Sequence, residues 1–348
     1  MRFAIAGAQH FHLLDLLQTM RSFPDIEWVG VCHAHPNYRR LLAEEYRLPI
    51  YDSLGDLLEQ AQPEAVACFD AFTERTATIA ACLRRGIHVL ADKPPAISFD
   101  QLAELEEAFY ETRSLNPAPV LAALFSERYN PPVLTLKRLI ATGTIGPVVN
   151  FTAFRPHKLK KGTRPEWMFR RRSYGGILVD LTVHDLDVYH WLTGRLPVAI
   201  MAAHSNFSCP EYPEFEDNGQ IFFTAADGSA GFIKTEWLAP EAFPSHGDCR
   251  YFVTGTRGTV EVHTGGDITD RDGKVVLCTH DQPPVQVPLV RPDHDLYADF
   301  LCQCRGIATP GAPMIQATEL FATLRTVLTA RDAADQQKRL SLTWPESG

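Results

Sequence analysis

The chain has 348 residues, 45% of them apolar and 22% charged, which fits a globular protein long enough for two domains. A formal net charge of -9 argues against general nucleic-acid binding. No apolar run is long enough to span a bilayer and no signal peptide precedes the first strand, so a cytoplasmic location without membrane contact is expected.

The first third alternates. Strand-like runs fall at Arg2–Ala6, Ile26–Cys32, Ala65–Phe69, Ile87–Ala91 and Val120–Leu124. Helix-period segments lie between them, at His12–Arg21, Asn37–Tyr46, Leu54–Ala61, Glu74–Arg85 and Phe99–Arg113. Gly86 stands where a helix C-cap belongs, and Ser98 with Gln101 reads as a capping box. Such alternation predicts a doubly wound parallel sheet with right-handed crossovers over residues 1–124.

From residue 125 the pattern changes. A helix at Pro132–Thr142 leads to a strand at Val148–Phe154, a basic loop and a helix opening near Gly176. Extended runs follow at Val198–Ser205, Gly219–Thr224, Gly231–Trp237, Arg250–Thr254, Gly258–His263 and Val275–Cys278. Turns such as "AADGS" and "DRDGK" separate them as hairpins require. Two helices, Asp293–Arg305 and Ile315–Gln336, close the chain. Residues 125–348 are therefore expected to form an α+β domain on a large, mainly antiparallel sheet. The eight cysteines have no metal-knuckle spacing, and the lone C-x-C of Cys302 and Cys304 falls inside a predicted helix, so reduced thiols are expected.

Three stretches carry chemistry. In "GAQHFH", residues 7–12, a strand ends in a glycine and passes into a helix, which is where a dinucleotide-binding fold places its phosphate turn. Only Gly7 is a glycine; Gln9 and His12 take the other two fingerprint positions, with His10 and Phe11 between them. His33 ends the second strand, where an acidic residue would bind a ribose diol, so NAD and NADP are not told apart. Arg39 and Arg40 could meet a 2′-phosphate or simply cover a helix face. His10, His12, His33 and His35 gather at one sheet edge; they could bind zinc or phosphate, but H-x-H spacing is not that of a metal site and no metal is assigned.

The second stretch, "HVLADKPPA", sets Asp92 and Lys93 at the carboxyl end of a strand, and Lys93–Pro94 allows a cis peptide. The third, "GGILVDLTVHDLDVYHWLTG", places Asp180 and His184 four apart on one helix face, with Gly194 as its cap. An amine, a carboxylate and an imidazole suit acid–base work at an alcohol carbon. Taken singly, Asp180 could cap its helix, His184 could be structural and Lys93 could merely precede a turn. Residues 155–172 hold eight Lys or Arg and one Glu, which is either a solvated loop or the mouth for an anionic substrate. Trp167 within it could pack on a sugar face or lie buried.

The Asp92-Lys93-Pro94 motif with Gly175, Gly176, Asp180 and His184 resembles the glucose-fructose oxidoreductase/inositol dehydrogenase/rhizopine catabolism (Gfo/Idh/MocA) family. Weaker echoes are "ERYNP" around Arg128 and Tyr129, and "TGTIGPV". That family carries glutamate where Asp92 stands. The resemblance implies a nicotinamide cofactor, NAD or NADP, held by Gly7, Gln9, His10, Phe11, His12, His33, Asp92, Lys93 and Pro94. It implies Lys93, Asp180 and His184 as catalytic residues, with His184 the base, at a sugar or cyclitol substrate; Arg128, from the weaker echo, and Trp167, from the basic loop, are the further substrate-binding candidates. It also implies a homodimer or homotetramer built through the second-domain sheet. Besides a dehydrogenase, two readings stay open: a binding or regulatory protein with lost turnover, and a lyase or hydrolase that uses the nicotinamide transiently.

Overall fold

The computed structural model describes residues 1–9, 12–20, 22–265 and 273–344. They form two compact units: Met1–Phe125 with His294–Phe321, and Ser126–Asp293 with Ala322–Gly348.

The first unit runs β1 (Arg2–Ala6), α1 (His12–Met20), β2 (Glu27–Cys32), α2 (Pro36–Arg40), β3 (Ile50–Tyr51), α3 (Leu54–Asp56), β4 (Ala65–Cys68), α4 (Phe72–Arg84), β5 (His88–Ala91), α5 (Phe99–Glu111) and β6 (Leu121–Ala123). The strand order is β3-β2-β1-β4-β5-β6 and every pair is parallel. This is the expected doubly wound sheet, and its order reverses between β1 and β4, the place where such folds bind ligands. Phe3 to Ala6 and Ala65 to Cys68 are fully buried, as strands covered on both faces must be.

Two expected helices are interrupted. Asn37–Tyr46 becomes α2 followed by a π-helical turn at Leu41–Glu45, and Leu54–Ala61 becomes α3 followed by one at Leu57–Ala61. In the second case the wider turn leaves Leu57, Leu58 and Ala61 all buried, so packing overrides local propensity. The capping box also differs in detail. Ser98 Oγ accepts from Gln101 N, but the Gln101 side chain accepts from Ile97 N rather than from Ser98.

Residues 294–321 pack with the first unit, whereas the expected boundary left everything after residue 124 in the second. One apolar and one ionic contact hold them there. Phe300 meets Phe3 edge-on at 6.2 Å, and Arg305 pairs with Asp25 at 2.5 Å. Strand–helix alternation carries no sign of so distant a contact.

The second unit contains α6 (Pro131–Ala141), β7 (Val148–Pro156), α7 (Arg171–Tyr174), α8 (Ile177–Thr193), β8 (Pro197–Ser205), β9 (Asn218–Ala225), β10 (Ala230–Glu236), β11 (Arg250–Gly255), β12 (Gly258–His263), β13 (Lys274–Thr279) and β14 (Gln282–Gln286). Helix α9 (Leu296–Cys304) belongs to the first unit; α10 (Ala317–Gln336) and β15 (Leu340–Ser341) close the chain. The nine strands are ordered β14-β13-β12-β11-β7-β10-β9-β8-β15, antiparallel except for β7 beside β10. The "AADGS" turn joins β9 to β10 as expected, while most of the "DRDGK" turn lies outside the described residues. Strand β14 lies beyond the expected extended runs; it contains Pro283 and Pro284 and lies exposed at a sheet edge, where proline is tolerated.

Candidate active site

Gly7 leaves β1 at φ +74°, and a side chain there would meet Asp70 at 2.2 Å, so only glycine can make this turn. Its N–H donates to Cys32 O, tying the turn to the end of β2. Gln9 donates from N to Phe69 O, and its side-chain amide reaches His33 O at 2.8 Å. The amide is thus held against the second strand's end.

His12, at the third fingerprint position, opens α1 and brings Nδ1 to 2.8 Å from Asp92 Oδ1. Asp92 is fully buried. Its Oδ1 also accepts from Lys93 N at 2.9 Å, and its Oδ2 pairs with Arg75 at 3.1 Å. Arg75 donates further to Asp70 O and Pro94 O, and Thr76 donates to Pro95 O. The carboxyl end of β5 is therefore clasped by α4, and the Lys93–Pro94 peptide is cis.

His33 is the parallel case. It takes a positive φ of 51° and places Nδ1 3.2 Å from Asp70 Oδ1. The hydrogen bond to that fully buried carboxylate raises the imidazole above its ordinary pKa. His12 and His33 have different carboxylate partners, and His35 N donates to Ala8 O. His10 and Phe11 lie outside the described residues. Among the described residues no cluster of three or more His, Cys, Asp or Glu is arranged to hold a metal ion. The described part of the turn fits a dinucleotide in backbone geometry, and His12 and Gln9 are secured to neighbouring groups.

In the second unit α8 is buried on every side from Ile177 to Tyr189, so its apolar residues form no single stripe. Asp180 and His184 are 3% and 8% exposed. Asp180 does not cap the helix. The cap position is Gly176, at φ +98°, and the first free N–H, of Ile177, is taken by Glu216 Oε2 at 2.9 Å. Glu216 in turn pairs with Arg171 and with His204 Nδ1 at 3.0 Å. Asp180 Oδ2 instead accepts from the Tyr174 hydroxyl at 2.8 Å, and Tyr174 accepts from Trp237 Nε1 at 2.9 Å. Gly194 ends α8 as expected.

Two further carboxylates of α8 meet arginines. Asp187 receives Arg128 through Nε and Nη2, at 2.9 and 2.7 Å, and Arg128 is 1% exposed. Asp185 receives Arg155 at 2.7 Å, with Glu127 and Tyr251 adjoining. Arg128, expected at the substrate, is buried and holds Asp187 of α8.

The basic segment is largely absorbed by the fold. Arg155 pairs with Asp185, Lys161 with Glu211, and Arg171 with Glu216 and Asp335. Lys158 donates to Phe243 O, and Arg164 lies 4.8 Å over the Trp237 ring. Lys160, Arg170 and Arg172 of the same segment are exposed. Trp167 is half-buried in a 3-10 turn at Glu166–Phe169.

Sequence patterning did not single out Asp70, Arg75, Tyr174, Glu216 or Trp237. For Asp70 a signal existed: a carboxylate just past a parallel strand in "ACFDAF".

Residues 1–115 match a family model described as "Oxidoreductase family, NAD-binding Rossmann fold", and residues 133–261 match the GFO/IDH/MocA C-terminal domain. The inositol 2-dehydrogenase of Rubrobacter xylanophilus is 24% identical over 222 residues, 64% of this chain and 59% of that protein. The D-glucoside 3-dehydrogenase of Escherichia coli is 27% identical over 202 residues, 55% of each chain. The chain thus spans less than two thirds of the length of either relative. A solved chain from Thermotoga maritima, described as a candidate oxidoreductase, is 25% identical with a TM-score of 0.86, covering 98% of this chain and 100% of that one.

Proposed function

The chain belongs to the GFO/IDH/MocA oxidoreductase family, and from that premise we propose that it is an NAD- or NADP-dependent dehydrogenase or reductase of a sugar or cyclitol. The observation that carries this is the burial of Asp180 and His184 one turn apart on α8, with Asp180 held by a phenol. A carboxylate and an imidazole placed in a core are costly to desolvate, and proton transfer is a use that fits them. In the first unit Lys93 follows β5 of the 3-2-1-4-5-6 sheet, its N–H fixed by Asp92.

When bound, the nicotinamide supplies the acceptor or donor of hydride. His184 removes the substrate's hydroxyl proton in oxidation and returns it in reduction. Lys93 steadies the developing alkoxide, and Asp180 keeps the acid–base set oriented. Gly7, Gln9, His12 and His33 line the cofactor turn. The substrate is a sugar or cyclitol; Arg155, Lys161 and Arg171 of the basic segment are paired within the chain, so an anionic group on it would have to meet Lys160, Arg170 or Arg172, which are exposed. The protein acts as a homo-oligomer through the outer face of the nine-stranded sheet, where Met201, Phe222, Phe232 and Phe252 stand exposed.

The first test is calorimetric titration with NAD(H) and NADP(H), then a screen of sugars and cyclitols for change at the nicotinamide absorbance. Micromolar binding of one cofactor with net turnover supports a dehydrogenase. Binding without net cofactor change points to transient use in a lyase or hydrolase. Absence of binding removes the dehydrogenase reading and leaves a non-redox homologue.

A further inference from the structure

Tyr174 and Trp237 form a line of hydrogen bonds that ends on Asp180, and Arg164 covers the far end of that line. The direction of the line is fixed by chemistry. An indole N–H only donates, so Trp237 Nε1 donates to the Tyr174 oxygen at 2.9 Å. Tyr174 then gives its single O–H to Asp180 Oδ2 at 2.8 Å. Tyr174 is 1% and Trp237 5% exposed, so solvent does not compete for these bonds. Burial, with the Asp180 charge adding to it, pushes the phenol well above its ordinary pKa, so the proton stays on oxygen at any working pH.

The outer end is equally constrained. Arg164 sits 4.8 Å over the Trp237 ring and donates Nε to Leu159 O at 2.8 Å. His157 lies 5.7 Å from the same ring, and His246 lies 4.5 Å from His157. Part of the basic segment thus has a task that its charge alone does not reveal: it braces an indole.

We propose that Tyr174 is a positioning residue for the reaction, holding Asp180 as an oriented hydrogen-bond acceptor, and that Trp237, braced by Arg164, sets the direction of the Tyr174 hydroxyl. This rests on the assignment of Asp180 and His184 to the acid–base set. Beside Asp180 stand Tyr174 from α7, whose hydroxyl also feels the Arg164 charge, and His184 one turn along α8. Of these, Tyr174 supplies the donor that favours the ionised carboxylate.

The experiment is Tyr174→Phe, which keeps the ring and removes the donor. The expected result is kcat lowered roughly 10-fold, the usual effect of deleting a hydrogen bond to a charged group. KM should stay within about twofold, and the acid limb of kcat/KM should move to higher pH. Cofactor titration should match wild type, since the first unit is untouched. An unchanged pH profile with unchanged kcat overturns the proposal. If Tyr174→Phe does not fold, Trp237→Phe is read instead. It should move the acid limb the same way by a smaller step, and an unmoved limb again overturns the proposal.

Should wild type turn over no polyol, the failure belongs to the dehydrogenase reading. The hydrogen bond is then read from thermal unfolding. The gap between wild type and Tyr174→Phe should be present at neutral pH and shrink as the carboxylate is protonated. A gap independent of pH overturns the proposal.

Discussion

His12 Nδ1 lies 2.8 Å from Asp92 Oδ1, so the residue that replaces a fingerprint glycine is bonded to the residue that replaces a family glutamate. The two departures form one device. A shorter carboxylate at position 92 leaves room that an imidazole from α1 fills, and the same oxygen holds Lys93 N.

This coupling predicts compensation. His12→Gly alone removes a partner from a buried carboxylate and should cost about 1–3 kcal/mol. Asp92→Glu alone adds a methylene at a fully buried site and should cost about 1–3 kcal/mol. The double variant restores the family pattern and should be more stable than the sum of the two losses, by about 1 kcal/mol or more. Denaturant unfolding of all four proteins decides it. Simple additivity would mean that the two positions are independent.

The His33–Asp70 bond predicts a pH dependence. His33 has its pKa raised in the folded state, chiefly by that bond. Its contribution is therefore fully present below the unfolded value, about 6.5, and is lost as pH rises through the folded value. His33→Gln should lower the melting temperature more at pH 5.5 than at pH 8. The same protonation places a cation at the end of β2, so affinity for NADP(H) relative to NAD(H) should fall as pH rises through this range. Titrations of both cofactors at the two pH values test it, and a constant ratio would remove His33 from the cofactor site.

The parallel sheet was legible because its strands are apolar throughout and its helices repeat at a fixed interval, as at Phe3 to Ala6 and Phe99 to Glu111. Lys93, Asp180 and His184 are proposed from motifs that are local in the sequence. Their supports are not local. Tyr174 meets Trp237 across 63 positions, Arg128 meets Asp187 across 59, and Arg75 meets Asp92 across 17. No periodicity encodes which arginine a carboxylate will meet, and so the basic segment read as a surface when much of it is a frame. Strand β3, at two residues, is too short to carry a pattern.

Arg128 is the clearest case of that frame. Arg128→Ala removes the bidentate partner of a buried Asp187 and should cost about 3–5 kcal/mol. Arg128→Lys should recover only part of this, because an ammonium cannot reproduce the fork. Both losses should appear in thermal unfolding. If Arg128→Lys instead keeps wild-type stability and raises KM for the substrate, the side chain serves the ligand and not α8.

The outer sheet face yields the last prediction. Met201 stands opposite Phe222, Phe222 opposite Phe232, Phe232 opposite Thr152 and Thr152 opposite Phe252, a single row crossing five strands. Phe222 and Met201 are 46% and 52% exposed, and Phe154 meets Phe252 edge-on at 5.8 Å. A row so rich in exposed apolar side chains, broken only by Thr152, is unfavourable in water, and a second copy of the same row is the cover that a twofold axis supplies without further sequence. The wild-type protein should therefore show the mass of a dimer or tetramer by light scattering. Phe222→Glu, at an exposed strand position, should lower that mass while circular dichroism stays unchanged, because the charge is unfavourable only when the face is covered. A monomeric wild type, or a variant of undiminished mass, would assign the contact to another surface.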